Sequence, residues 1–237
     1  DPFLFSFKNV KYVFFENYSY KTKKGKISCG KISDYNITNV IDVLEKDYHL
    51  SFPFLIQDGE DIYMIPETNE NKRLEVYKCK KFPDNWELYS TAFEGERVAD
   101  PHVFKDKDGE LWLFVNKSPN DIIPLDNELH VFKIDSLKLN QITPHKSNPV
   151  VLDSRSARNA GSVFEYENKL YRPSQSNVEG IYGRYLNINE ITALNIDNYS
   201  EKNCVTVKPD FHKNLHSIHH LHQINNSFVF DVAYKKK

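Results

Sequence analysis

The sequence predicts an all-β chain folded as a five-bladed β-propeller, with antiparallel blades, little helix and an incomplete last blade. A fivefold internal repeat, strand-like runs filling the gaps between copies, and the absence of a helical period predict it. A short apolar strand, a turn and an aromatic-rich second strand recur as DPFLFSFKNVKYVFFEN, SFPFLIQDGEDIYMIPET, ADPHVFKDKDGELWLFVN, NAGSVFEYENKLYRPSQ and HSIHHLHQINNSFVFD. The copies start near residues 1, 51, 99, 159 and 216, roughly 50–60 residues apart, a blade-like period. No segment sustains a 3.6-residue apolar period over three turns.

Each copy opens as a hairpin. Asp58-Gly59 and Asp108-Gly109 are turn dipeptides between β-rich runs. Asn9, Asn168 and Asn225-Asn226 hold the same place in the other copies. Two further strand-like runs follow each of the first four hairpins: 26–32 and 40–44, 74–79 and 86–90, 129–134 and 150–152, 181–186 and 204–207. Four strands per copy make the standard blade. The fifth copy ends after its second strand, which would expose unpaired edges. The expectation is one propeller domain over 1–237, belonging to a longer protein.

Composition narrows the function. The chain is 40% hydrophobic and 14% aromatic, with a formal charge of −2, which argues against nucleic acid or an anionic membrane as the main partner. No apolar run reaches the roughly 20 residues of a membrane-spanning helix. Cys29, Cys79 and Cys204 lack metal spacing and are read as buried thiols of a reducing, cytoplasmic setting. No GxGxxG or P-loop signals a nucleotide cofactor, and no cofactor is expected.

Repeat symmetry then places a site. Four residues after the aromatic of each second strand stand Glu16, Glu67, Asn116 and Gln175, with Asp231 at the matching place in the fifth copy. Antiparallel hairpins bring the starts of the first strands to the same end, adding Asp1, Ser51, Asp100 with His102, Asn159, and His219 with His220. Mostly carboxylates and carboxamides among aromatics, these positions read as a polar pocket. Asp1-Pro2 and Asp100-Pro101 are equivalent, and proline is expected to hold each aspartate extended. Facing carboxylates suit glycosidic chemistry, one ionised and one protonated; each Asp could equally accept backbone N–H groups. Arg155, Arg158 and Arg172 are three of six arginines and suit an anionic or polyhydroxylated ligand, or else pair with nearby acids. His216, His219, His220 and His222 cannot all converge on one strand, and no carboxylate stands close in sequence. No metal is expected there; one histidine facing the cavity is.

The segments DPFLF with VFFEN, SFPFLI with YMIPET, ADPHVF with WLF, the 153–161 run and YRPSQ resemble the N-terminal domain of glucosamine inositolphosphorylceramide transferases. In bacteria that domain is often joined to sugar formyltransferase domains. It is similar in fold to the five-bladed arabinanase, invertase and levansucrase superfamily. The resemblance implies Asp1 as base or nucleophile and Asp100 as the orienting second aspartate. One departure stands out: the superfamily's acid is a Glu at the start of blade four, where this chain has Asn159-Ala160-Gly161. Glu67 is then the candidate acid, with Arg158, Arg172, Gln175 and His219 holding the sugar. The expected function is a glycosidase-like or glycosyl-transferring domain acting on a surface glycan or glycolipid. The alternative is a non-catalytic module binding a glycan or nucleotide sugar beside a fused transferase domain.

Overall fold

The computed structural model describes residues 1–34, 36–118 and 120–235. Its strands form four complete blades in chain order. Blade one holds β1 (Phe3–Phe7), β2 (Val10–Ser19), β3 (Lys24–Ser33) and β4 (Asn36–Leu44). Blade two holds β5 (Ser51–Asp58), β6 (Asp61–Glu67), β7 (Leu74–Lys81) and β8 (Asn85–Ala92). Blade three holds β9 (Val98–Lys105), β10 (Leu111–Lys117), β11 (Glu128–Ile134) and β12 (Ile142–Pro144), and β13 (Val151–Leu152) also pairs with β11. Blade four holds β14 (Phe164–Tyr166), β15 (Lys169–Val178), β16 (Ile181–Leu194) and β17 (Tyr199–Val207). Each is an antiparallel meander. Among the described residues the one helical element is a 3-10 turn at Asn69–Asn71.

The expected count of five blades is corrected. The fifth copy forms no four-stranded sheet but two small ladders. These are β18 (Leu215–Ser217) with β21 (Ala233–Tyr234), and β19 (Leu221–Ile224) with β20 (Ser227–Phe230). The latter hairpin still closes the ring. Leu4 N–H donates to His222 Nδ1 at 3.0 Å on the blade-one side, and Leu221 N–H donates to the Ala160 carbonyl at 2.7 Å on the blade-four side.

Burial falls from the axis outward. β5 and β9 are buried over most of their length, whereas β4 and β17 are largely exposed. β5 accordingly reads as an apolar run, while β9 buries Asp100 and His102 among its apolar residues. Each fully buried Phe or Leu contributes roughly 1.5–3 kcal/mol. Phe82 fastens blade two to blade one, its ring 4.3 Å from Phe7 and 4.9 Å from Tyr12. Trp112 is buried, and its Nε1–H donates to Asp106 Oδ2 at 2.8 Å. Of the three free cysteines only Cys29 is buried; Cys204 is exposed, against expectation.

Two irregularities aim residues at the mouth. β5 bulges between Ser51 and Phe54, and the β9–β10 register shifts between Ala99 and His102. Inside these bulges Phe52 and Asp100 have φ of 45° and 48°. Both precede proline, so the expectation that Pro101 holds Asp100 extended is corrected. Such φ values are rare for residues with a Cβ, and bulges of this kind re-aim side chains.

Candidate functional site

At one mouth of the ring, β6 ends in Glu67 while the β9 bulge presents Asp100. The turn before blade four supplies Arg158. Its Nε donates to Asp100 Oδ2, and one Nη donates at 3.2 Å both to Asp100 Oδ1 and to Glu67 Oε2. Asp100 N–H donates to Glu67 Oε2 at 3.2 Å. Both carboxyls are buried. Burial pushes the Glu67 carboxyl up to about 8; Arg158 opposes this, and the Asp100 carboxylate adds to it. The arrangement can hold a proton on Glu67 at neutral pH beside an ion-paired Asp100.

A second group lies across Tyr182. This ring stands 5.7 Å from the Arg158 guanidinium and 5.5 Å from the His219 ring. Its hydroxyl accepts from Gln175 Nε2 at 3.2 Å. His219 Nδ1 lies 2.9 Å from Asp231 Oδ1, and His219 Nε2 lies 3.6 Å from Asp1 Oδ1. Burial alone would raise Asp231, but His219 and the Asp1 amino terminus, which donates to Asp231 Oδ2 at 3.1 Å, together more than offset it, leaving that carboxyl well below the usual range. His220 is fully buried with Nδ1 3.3 Å from Asp1 Oδ1, and burial pushes it well below the ordinary histidine value. One ligand atom each from Asp1, His219 and Asp231 lie within 4.8 Å of one another. Of the described residues these could hold a cation. No carboxylate stands close to these histidines in sequence; the two acids beside them in space come from opposite ends of the chain.

Gly183 makes this junction. Its φ is 58°, and a Cβ there would lie 2.2 Å from His219 Cβ, so the tip of the β15–β16 hairpin lies flush on His219. Only glycine combines that conformation with that approach.

Several residues expected to touch a ligand instead hold the frame. Arg172 is fully buried. Its Nε and Nη2 bind Glu201 at 2.8 and 2.6 Å, Nη2 also donates to the Ser156 carbonyl, and Nη1 donates to Asn159 Oδ1. Its donors are engaged within the protein. Asn116 Nδ2 donates to the Glu128 and Ala157 carbonyls, and its Oδ1 accepts from Asn159 N–H at 2.8 Å. Asn159 Nδ2 in turn holds the Asp100 carbonyl at 3.1 Å. His102 is fully buried, stacked on Phe114 at 5.0 Å, and burial lowers it to about 3. Glu16 stands apart, 3.5 Å from His49 Nε2. Arg155 pairs with Asp153 on the surface.

The structure thus brings Asp1, Glu67, Asp100, Arg158, Gln175, His219 and Asp231 to one mouth, with Asn159 and Asn116 behind them. Tyr182 was not expected there. It lies just past the tip of the β15–β16 hairpin, beyond the positions that the repeat counting covers.

Residues 1–227 match the profile of the family described as glucosamine inositolphosphorylceramide transferase 1, N-terminal. The chain belongs to this family. It is 33% identical over 205 residues to the glucosamine inositolphosphorylceramide transferase 1 of Oryza sativa subsp. japonica, covering 85% of this chain and 27% of the rice protein. The Arabidopsis thaliana protein of the same name is also 33% identical, with 85% and 26% covered. This family member therefore spans about a quarter of the curated relatives it matches. Among solved structures, it is similar to an endo-1,4-beta-xylanase from Bacteroides thetaiotaomicron, with TM-score 0.70, 12% identity, 98% of this chain and 83% of that one. An exo-beta-1,3-galactanase from Clostridium thermocellum gives TM-score 0.67, 12% identity, 97% and 53%. At such identities the likeness carries the β-propeller fold. No helix among the described residues is long and apolar enough to cross a membrane.

Proposed function

We propose that the chain is a carbohydrate-active propeller domain that binds a sugar at the Glu67–Arg158–Tyr182–His219 mouth and assists glycosyl transfer or hydrolysis there. The observation that carries this is the buried pair of carboxyls on one guanidinium. Arg158 bonds both Glu67 and Asp100, and burial raises the Glu67 carboxyl to about 8. Glu67 would give that proton to the departing glycosidic oxygen, and Asp1 would take the proton of the attacking hydroxyl or water. Asp100 and Arg158 position the acid, while burial and the neighbouring Asp100 carboxylate preserve its proton. The names of the relatives support transfer of a sugar to a lipid-linked acceptor, with the remainder of a longer protein contributing. We read the β19–β20 hairpin as the inner half of a fifth blade and residues 1–237 as one propeller domain. Asp231 follows β20 as Glu67 closes β6, which supports this.

The test is calorimetry of the domain with an oligosaccharide panel, together with mass spectrometry for released or transferred sugar. Glu67→Gln should bind as the wild type does and lose turnover. Unchanged turnover would remove Glu67 as the acid, and no binding by either protein would remove the sugar site.

A second reading, a non-catalytic sugar-binding module, is favoured by the Asn159–Gly161 segment. At the position of the superfamily's acid this backbone is committed to closing the ring. A Cβ on Gly161 would lie 1.8 Å from the Leu221 carbonyl oxygen. Binding without turnover in the same assay would select it.

A further inference from the structure

The two ends of the propeller differ in what they expose. Among the described residues the three most exposed large apolar side chains are Ile122 at 90%, Tyr20 at 82% and Leu152 at 70%. The strand directions put all three at the mouth end. Glu16 pairs with Ile27 and Ser19 with Lys24, so the β2–β3 tip carrying Tyr20 reaches about 13 Å beyond Glu16, at roughly 3.3 Å per residue. The Tyr18 ring stands edge-on to Tyr20 at 5.3 Å. Ile122 lies in the connection from β10 to β11, just past Asn116. Leu152 pairs with Glu128, where β11 begins. Single exposed apolar residues are ordinary; it is their gathering at one end that asks for a partner.

Charge divides the same way. Lys21 and Lys23, on the same tip as Tyr20, are exposed and form no ion pair among the described residues. The acids beside the other two tips are already matched, Asp121 by Lys72 at 2.9 Å and Asp153 by Arg155 at 2.8 Å. At the opposite end, the connections between strands hold nine carboxylates against three lysines. The chain is thus polarised along its axis, with acid concentrated away from the mouth. Aromatic and aliphatic tips beside lysines suit the boundary between water and hydrocarbon, where apolar bodies enter and ammonium groups stay with the phosphates. The tips stand on blades one and three, apart from one another. That suits a flat, deformable surface rather than the contiguous apolar core of a protein interface.

We propose that the mouth end docks on a phospholipid bilayer, with Tyr20, Ile122 and Leu152 entering the interface and Lys21 and Lys23 resting on lipid phosphates. The proposal goes beyond the sugar site and does not rest on it; it turns the mouth toward the headgroups. It also revises the expectation, drawn from net charge, that argued against an anionic membrane: the repelling carboxylates lie at the far end.

Sedimentation of the 237-residue chain with vesicles of phosphatidylcholine, with and without phosphatidylglycerol, tests it. The chain should pellet with the mixed vesicles, and less with phosphatidylcholine alone or at high salt. Tyr20→Ser with Ile122→Ser should lower partitioning about tenfold or more on both vesicle types. Lys21→Gln with Lys23→Gln should lower it about tenfold or more on the mixed vesicles only, at about fivefold per lysine. Tyr166→Ser removes an exposed ring at the opposite end and should change nothing; thermal unfolding checks that every variant folds. A chain that stays in solution with both vesicle types overturns the proposal. So does pelleting that the tip variants leave unaltered, or that Tyr166→Ser weakens as much as they do. Self-association without pelleting, lost in the tip variants, gives the tips to a second copy and also overturns it. Calorimetry with soluble oligosaccharides needs no bilayer and reads the sugar site separately.

Discussion

Replacing Arg172 with methionine separates a framework arginine from a ligand-binding one. Its side chain is wholly buried and Glu201 nearly so. The guanidinium meets that carboxylate through two bonds of 2.8 and 2.6 Å and donates at 2.7 Å to the Ser156 carbonyl. Methionine fills much of the volume but leaves Glu201 with the Tyr199 hydroxyl as its remaining short contact. Breaking a buried pair from one side costs about 3–5 kcal/mol, because the surviving charge stays desolvated. Against a total stability of about 5–15 kcal/mol, that is a large share. For a chain of this size it corresponds to a fall in Tm of roughly 6–20 °C. The double variant Arg172→Met with Glu201→Met should recover much of the loss, since no charge is then stranded. Arg155→Ala, which removes an exposed pair with Asp153, should stay within about 0.5 kcal/mol. Urea unfolding of the four proteins measures all of this. A loss below about 1 kcal/mol for Arg172→Met would refute the framework role and leave the guanidinium free to serve a ligand.

Three further outcomes are expected. The folded-state Glu67 carboxyl, raised by burial to about 8, keeps a proton that the unfolded chain releases in the ordinary glutamate range. Its contribution to stability is therefore complete at acid pH and is lost as pH rises to about 8. Glu67→Gln should flatten that decline in denaturant midpoints, and parallel pH profiles would show the assignment to be wrong. Gly161 has φ of 135° and meets the Leu221 carbonyl, so Gly161→Ala should cost at least about 2 kcal/mol and loosen the blade-four closure; hydrogen exchange at the Leu221 amide reports it, and unchanged protection counts against the closure. Tyr182→Ala should weaken sugar binding about tenfold or more, by loss of ring contact of about 1–2 kcal/mol, while shifting Tm little because the side chain is half-exposed. Calorimetry showing unaltered affinity would exclude Tyr182 from the site.

The blades were legible because their signal is repetitive. Turn dipeptides such as Asp58-Gly59 and the second-strand aromatics Tyr12, Tyr63, Trp112 and Tyr171 recur at fixed offsets. Counting four residues from those aromatics gives Glu67, Asn116 and Gln175, and Asp231 is matched to them by its place in the fifth copy. The same count failed for Glu16, whose carboxylate lies over Gly25, 2.7 Å from where a Cβ would stand, and reaches His49 instead. Equivalent backbone positions do not fix equivalent side-chain directions. Nothing in the spacing of Arg158 and Arg172 distinguishes them either. Their roles follow from partners far along the chain: Asp100 and Glu67 for one, Glu201 for the other.

What the repeat could not carry is the deviation from symmetry, and the candidate chemistry is built from deviations. Ideal blades would leave Asp100 extended before its proline, its carboxylate alternating with the strand. The β9 bulge turns the residue to φ 48° and delivers its carboxylate to Arg158. Backbone held in so sparse a region costs of order 1–3 kcal/mol and persists only where its surroundings over-determine it. Here they do: the Asp100 N–H is held by Glu67, its carbonyl by Asn159 and its carboxylate by Arg158. Tyr182, near the tip of the β15–β16 hairpin, stands between Arg158 and His219 and joins the Glu67 half of the mouth to the His219 half. The regular hairpins bring the polar ends together, and the irregular residues decide which of them touch.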